Sequence, residues 1–195
     1  MNADSPMRNF DPAKIAYYEK ENYVAYYQKD WLKLLRVSVG MVKETFGLSL
    51  WQAIYAAYLV ACAEIAAAPF PNNDIPRAEA HMRRFYALIK RIHQADFDID
   101  EVARLEVNWW VVHRRLFGKS DNPELIDALS DLYAATFRVP KERVRDAAHH
   151  RALGVLYSDQ WVNAGKPAKS RLLQQEEEEL RIGYVALRDA LSPAR

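Results

Sequence analysis

The chain has 195 residues, half of them hydrophobic and 27% charged, a balance that supplies a core and excludes disordered, collagenous and low-complexity classes. With 27 basic against 26 acidic residues the formal charge is +1, so any attraction to nucleic acid or an acidic membrane must come from a local patch. The single cysteine, Cys62, excludes an internal disulfide, and the polar opening from Met1 to Pro6 has neither the basic nor the apolar part of a secretory signal, so a cytoplasmic protein without membrane contact is expected.

Residues 1–11 are expected to be a disordered tail and 12–191 a single helical domain. Asp11-Pro12 supplies a capping acceptor followed by proline in the first turn, and the helix it opens runs to Phe46-Gly47. Val24, Tyr27, Trp31, Leu34 and Met41, beside a stripe of Leu32, Leu35, Val39 and Val42, form a wide apolar face that belongs in a core. Taken as one rod, this segment would extend ~52 Å, whereas a compact chain of this length is only ~42 Å across. It therefore breaks or protrudes. Ser38-Val39-Gly40 offers a kink and Asp30 a new cap, while protrusion would present Tyr17, Tyr18, Tyr23 and Tyr26 to a second subunit. A bent helix lying at a homodimer contact is the expectation.

A second helix starts at Ser49, with Gln52 at capping-box spacing, and ends at Ala68 before Pro69; its alanines suit close packing in a core better than lipid. The third is capped by Asp74 and buries Met82, Phe85, Ile89 and Ile92, while its other faces are basic: Arg77, Arg83, Arg84, Lys90 and Arg91 with His81 and His93, against Glu79. That surface suits phosphate or single-stranded nucleic acid, or else is a solvated face balanced by acids elsewhere. Asp98 and Glu101 open a fourth helix that ends at Gly118, a fifth opens at Asn122-Pro123, a sixth spans Pro140 to Asn163, and a seventh Pro167 to Leu191. No segment alternates with period two, and the joints are short. The predicted fold is an all-α, antiparallel bundle of about seven helices.

Glu64 is the only charge between Leu48 and Ala68, where burial would demand a partner or a proton. It reads as a metal ligand or acid–base group, or, more simply, as an ion-pair partner or part of a last turn that reaches the surface. Glu106, Trp110, His113 and Phe117 share one stripe of the fourth helix, so Glu64, Glu106 and His113 form a possible metal or ligand set, with Trp109, Trp110 and Tyr55 as walls. Neither acid is followed three residues later by histidine, as the di-iron pattern requires. Arg151 lies on the stripe of Val144, Ala148 and Val155, so its guanidinium is expected to enter the bundle and meet Asp159, Glu64 or Glu106. His150 should pair with Asp146, and the run Glu176 to Glu179 reads as a solvated face.

The segment from Leu132 to Ala147 resembles the helix-turn-helix of bacterial transcription factors, with alanines in the first helix and a tight turn before Val139, although Arg138 stands where that family usually has glycine. The resemblance implies DNA contact through Lys141, Arg143 and Arg145. Gly-rich phosphate loops, nucleophile elbows and paired cysteines are absent. Three functions follow in order of preference: a homodimeric binding or interaction protein; an enzyme or small-ligand-binding protein with a carboxylate and histidine pocket; and a DNA-binding regulator, with nucleic acid the least expected partner.

Overall fold

The computed structural model describes residues 5–119 and 123–192. Among these residues it is all-α, with eight helices: α1 (Pro12–Gln28), α2 (Trp31–Phe46), α3 (Leu50–Ala67), α4 (Ile75–His93), α5 (Ile99–Arg115), α6 (Pro123–Phe137), α7 (Lys141–Asn163) and α8 (Arg171–Leu191). The extra helix comes from the long first segment, which breaks at Lys29 and Asp30. Lys29 takes a left-handed conformation (φ 60°) that ends α1, and the Asp30 carboxylate accepts from the Lys33 amide to start α2. Gly40, the other candidate kink, lies inside α2, where it faces the Tyr18 ring.

Caps written in the sequence set the other starts. The Asp11, Asp74 and Asp98 carboxylates each accept a backbone amide in the first turn of their helices, and the Ser49 amide donates to the Gln52 side chain. The last helix starts at Arg171, capped by Ser170, four residues beyond the expected Pro167. The expected cap of α6, Asn122, lies outside the described residues. The expected tail is ordered from Ser5 onward: Met7 and Phe10 are buried, and the Arg8 guanidinium donates to the Phe137 and Leu191 carbonyls. Two apolar anchors and two terminal carbonyls outweigh the polar composition that suggested disorder.

Each helix packs on the next in sequence, and α8 returns to pack on α1, so the eight form a closed ring. One cluster of buried apolar side chains runs through it from Met7 to Leu191. The closest pair is α7 and α8. A Cβ at Gly183 would stand 3.0 Å from the Ala147 carbonyl oxygen, and one at Gly154 would stand 2.8 Å from the Leu180 side chain, so the missing side chains let the two backbones meet.

Two expectations about burial are corrected. The inner face of α3 is alanine and leucine (Ala53, Ala56, Leu59, Ala63), but Trp51, Tyr58 and Ile65 point to solvent, as do Trp31, Leu32 and Leu35 of α2. Apolar periodicity wide enough for a core here serves one buried and one open face. Conversely, Glu176, first of the presumed solvated run, is 1% exposed, and its Oε2 has no hydrogen-bond partner. It continues the inward stripe of Leu180, Tyr184, Leu187 and Leu191. Burial leaves its carboxyl pushed up to about 8; the Ser158 hydroxyl beside it opposes that rise and the Glu19 charge adds to it.

Because the folded protein holds this proton where the unfolded chain releases it, the Glu176 contribution is complete below about pH 4.5 and is lost as pH rises through about 8. In that window stability should fall with pH by on the order of 1 kcal/mol per unit. Glu176→Gln should flatten the slope in urea unfolding measured from pH 5 to 9. An unchanged slope would show that Glu176 is not protonated in the folded state.

Candidate functional site

The ring encloses a cavity of about 120 Å³ whose lining draws side chains from all eight helices and from Phe10. Its wall is largely aromatic and aliphatic, including Phe46 of α2, Val60 of α3, Phe85 and Tyr86 of α4, Trp110 of α5 and Phe137 of α6. Most of its polar groups come from α5 to α8: Glu106 of α5, Tyr133 and Thr136 of α6, Arg151 of α7 and Tyr184 of α8. An engineered apolar cavity of about 150 Å³ accepts benzene, so the space suits a molecule of about that size.

Arg151 organises these polar groups. It enters the bundle as its stripe predicted, but its partner is Glu19 of α1, whose Oε1 accepts from both Nε and an Nη of the guanidinium at 2.9 Å. The same guanidinium donates to the Tyr133 hydroxyl at 3.3 Å and lies 4.9 Å from the Trp109 ring centroid. Tyr184 donates to the other Glu19 oxygen. Burial alone would lower the Arg151 pKa, but the Glu19 charge, with the Glu106 charge behind it, holds it above its ordinary value, so it stays a cation. Burial pushes the Tyr133 hydroxyl up to about 12 and raises Tyr86 and Tyr184 well above the usual range, so all three are neutral, with Tyr133 accepting from Arg151 and the other two donating to carboxylates.

Glu106 has two donors of its own, the Tyr86 hydroxyl and the Trp109 indole N–H at 2.8 Å. Around the cavity two carboxylates, Glu19 and Glu106, therefore face one guanidinium. Thr136 is buried beside the Tyr86 hydroxyl. The site is an aromatic enclosure with a carboxylate excess.

Glu64 is not enclosed in the core. It is exposed on α3, one turn beyond Val60, and it lines neither hollow of the protein. Glu106 is near enough for its charge to act on Glu64.

His113 joins a different cluster. Its Nε2 stands 3.1 Å from both oxygens of Asp159, a buried carboxylate that also accepts from the Tyr23 hydroxyl at 2.6 Å and the Gly118 amide at 2.8 Å. Burial first, and then the Asp159 charge, raise the Tyr23 pKa, so the phenol remains a donor. Trp109 separates the two clusters, with its N–H on Glu106 and its ring stacked on His113 at 6.3 Å. Among the described residues no group of three or more His, Cys, Asp and Glu side chains is placed to hold a metal ion. A second hollow, of about 270 Å³, opens beside His113 and Asp159, with Lys119 and His149 on its rim.

Of the predicted walls, Trp110 lines the central cavity, Trp109 stands behind Glu106, and Tyr55 faces outward from α3. His150 stands 3.8 Å from Asp146 through Nε2, but its close partner is Glu179, 2.6 Å from Nδ1. The cations of the helix-turn-helix segment are engaged within the fold: Lys141 pairs with Asp131, Arg145 with Asp127, and Arg143 donates to the Ser192 carbonyl. Glu19 escaped the sequence reading, Asp159 entered it only as a possible partner of Arg151, and Glu176 was read as solvated. Each is an acid on the inward stripe of its helix, beside Ile15 and Ala16, Ala152 and Val155, and Leu180 respectively.

Arg151→Met should cost about 3–5 kcal/mol, because it strands the Glu19 charge, whereas Glu19→Gln combined with Arg151→Met should recover much of the loss. A double-mutant cycle from urea unfolding measures the coupling, and a single-variant loss below about 1 kcal/mol would deny the pair its structural role. Comparison of the chain with models of protein families, with curated proteins and with solved structures finds no match.

Proposed function

We propose that this protein binds a small, mostly apolar molecule in the centre of the helical ring, with an amine or alcohol group directed at Glu106. The observation that supports this reading is the cavity itself: a space walled by every helix and apolar over most of its surface, with its ionisable groups contributed by α4 to α8. Ligand sites typically combine an apolar wall with a few convergent polar groups. A bundle built only to present an outer surface has no need of such a space.

The charge balance selects the ligand class. Arg151 is engaged by Glu19, so the unmatched group at the wall is the Glu106 carboxylate. Carboxylates and phosphates would meet repulsion, whereas an ammonium gains from Glu106 and from the faces of the aromatic rings. The Thr136 hydroxyl supplies a further acceptor or donor. This reading is preferred over an interaction protein without a pocket. It is also preferred over DNA binding, since the cations of that reading already have partners in the fold.

Benzylamine, benzyl alcohol and benzoate share a shape and differ in charge, which makes them suitable probes. At a hundred times its Kd, benzylamine should stabilise the fold by about 2.7 kcal/mol, raising Tm by roughly 5–10 °C, while benzoate should have no effect. Glu106→Gln should remove the preference for the amine over the alcohol. Equal or greater stabilisation by benzoate, or none by any of the three, would overturn the assignment.

A further inference from the structure

We infer that the outer face of α2, α3 and α4 docks on an anionic lipid surface. It is independent of the central cavity and rests on two features that coincide on adjacent helices.

The first is apolar area. Leu32 is 81% exposed, Trp51 80% and Ile65 73%, and Trp31, Leu35 and Tyr58 are more than half exposed. With a large side chain carrying about 150–250 Å², the open parts of α2 and α3 present roughly 1,000 Å². The largest apolar patch on a typical monomer is about 300–600 Å². Such an area calls for a cover. α3 is also long and apolar enough to cross a membrane by length and composition. Its alanine face, however, is built into the ring, so it lies along a surface with its Trp and Tyr side chains outward.

The second is charge. Arg36 and Lys43 on α2, and Arg77, Arg84 and Arg91 on α4, are exposed and have no carboxylate within ion-pair distance among the described residues. Arg77, Arg84 and Arg91 recur every seven residues, which places them on one stripe of α4. α4 packs directly on α3, so that stripe stands on the helix next to the apolar face. The acids of α2 and α4 are occupied: Glu44 pairs with Lys14 and Glu79 with Arg83, while Asp74 caps α4. Of the described acids on α2, α3 and α4, Glu64 alone has no cation within ion-pair distance.

Charge complementarity selects the cover. A second copy of this chain, related by a two-fold axis, would bring the same five cations against themselves with one acid each to offset them. A leaflet rich in phosphatidylserine offers acyl chains to the tryptophans and phosphates to the arginines, each cation near such a surface being favourable. Since the whole chain carries only +1, these cations are balanced on other faces and the attraction is directional.

The full chain should sediment with vesicles of phosphatidylcholine containing roughly one-quarter phosphatidylserine, with a blue shift of tryptophan fluorescence, and should be released by salt. Trp51→Glu should abolish binding, and the triple variant Arg77→Glu, Arg84→Glu, Arg91→Glu should weaken it roughly a hundredfold or more. All these positions are exposed, and circular dichroism checks the fold. Should Trp51→Glu fail to fold, the triple variant decides alone. Three results would overturn the inference: no binding to the anionic vesicles; equal binding to phosphatidylcholine alone, unaffected by the triple variant; or a stable dimer in sedimentation velocity that Trp51→Glu dissociates, which would make a second copy the cover.

Discussion

Closure of the ring is organised around one largely buried ion pair. Every other contact between major neighbours joins helices adjacent in sequence, but α8 must find α1 across the length of the chain. Glu19 of α1 accepts from Arg151 of α7 and from Tyr184 of α8 at that junction, beside the outer pair of Lys20 with Glu177. Through the rings of Trp109 and Tyr133, Arg151 also reaches α5 and α6. Replacing such a pair by apolar side chains is often neutral for stability, so its value lies less in net energy than in what its loss would cost. An unpaired guanidinium or carboxylate at this depth penalises any arrangement in which α1 and α7 fail to meet, and so selects one closed register.

That junction also explains the cavity. Arg151, Glu19, Glu106 and three neutral phenols satisfy one another in a fixed geometry, and long polar side chains tied by hydrogen bonds cannot collapse to fill space as aliphatic ones do. Phe46 of α2 and Phe85 of α4 line it from other helices, and rigid rings limit how closely the walls can close. A hollow remains, bounded by polar groups that are already oriented. Pre-orientation of this kind lowers the entropic cost of receiving a ligand.

Local signals were legible in the sequence wherever the chemistry is local. Asp11, Asp30, Ser49, Asp74 and Asp98 start helices because a short acceptor satisfies an otherwise unpaired amide, whatever the rest of the chain does. The entry of Arg151 into the bundle was legible for the same reason. Its partner was not, since Glu19 is 132 residues away and pairing at that range is a product of topology. Glu64 drew attention because its neighbours in sequence are apolar, yet it is exposed to solvent. Glu176 looked solvated because its neighbours are acidic, yet it is buried. In both cases composition averaged over the helix, whereas burial depends on which stripe the residue occupies.

α3 shows how these levels join. Alanine inside allows it to approach α2 and α4 closely, and Val60 reaches the cavity from the same helix that carries Trp51, Tyr58 and Ile65 on its outer side. A helix with its side chains is only about 10–12 Å across. The wall between the central hollow and the outer apolar face is therefore a single helix thick. The thin alanine wall and the open aromatic face are consequences of one helix whose two sides serve different surroundings.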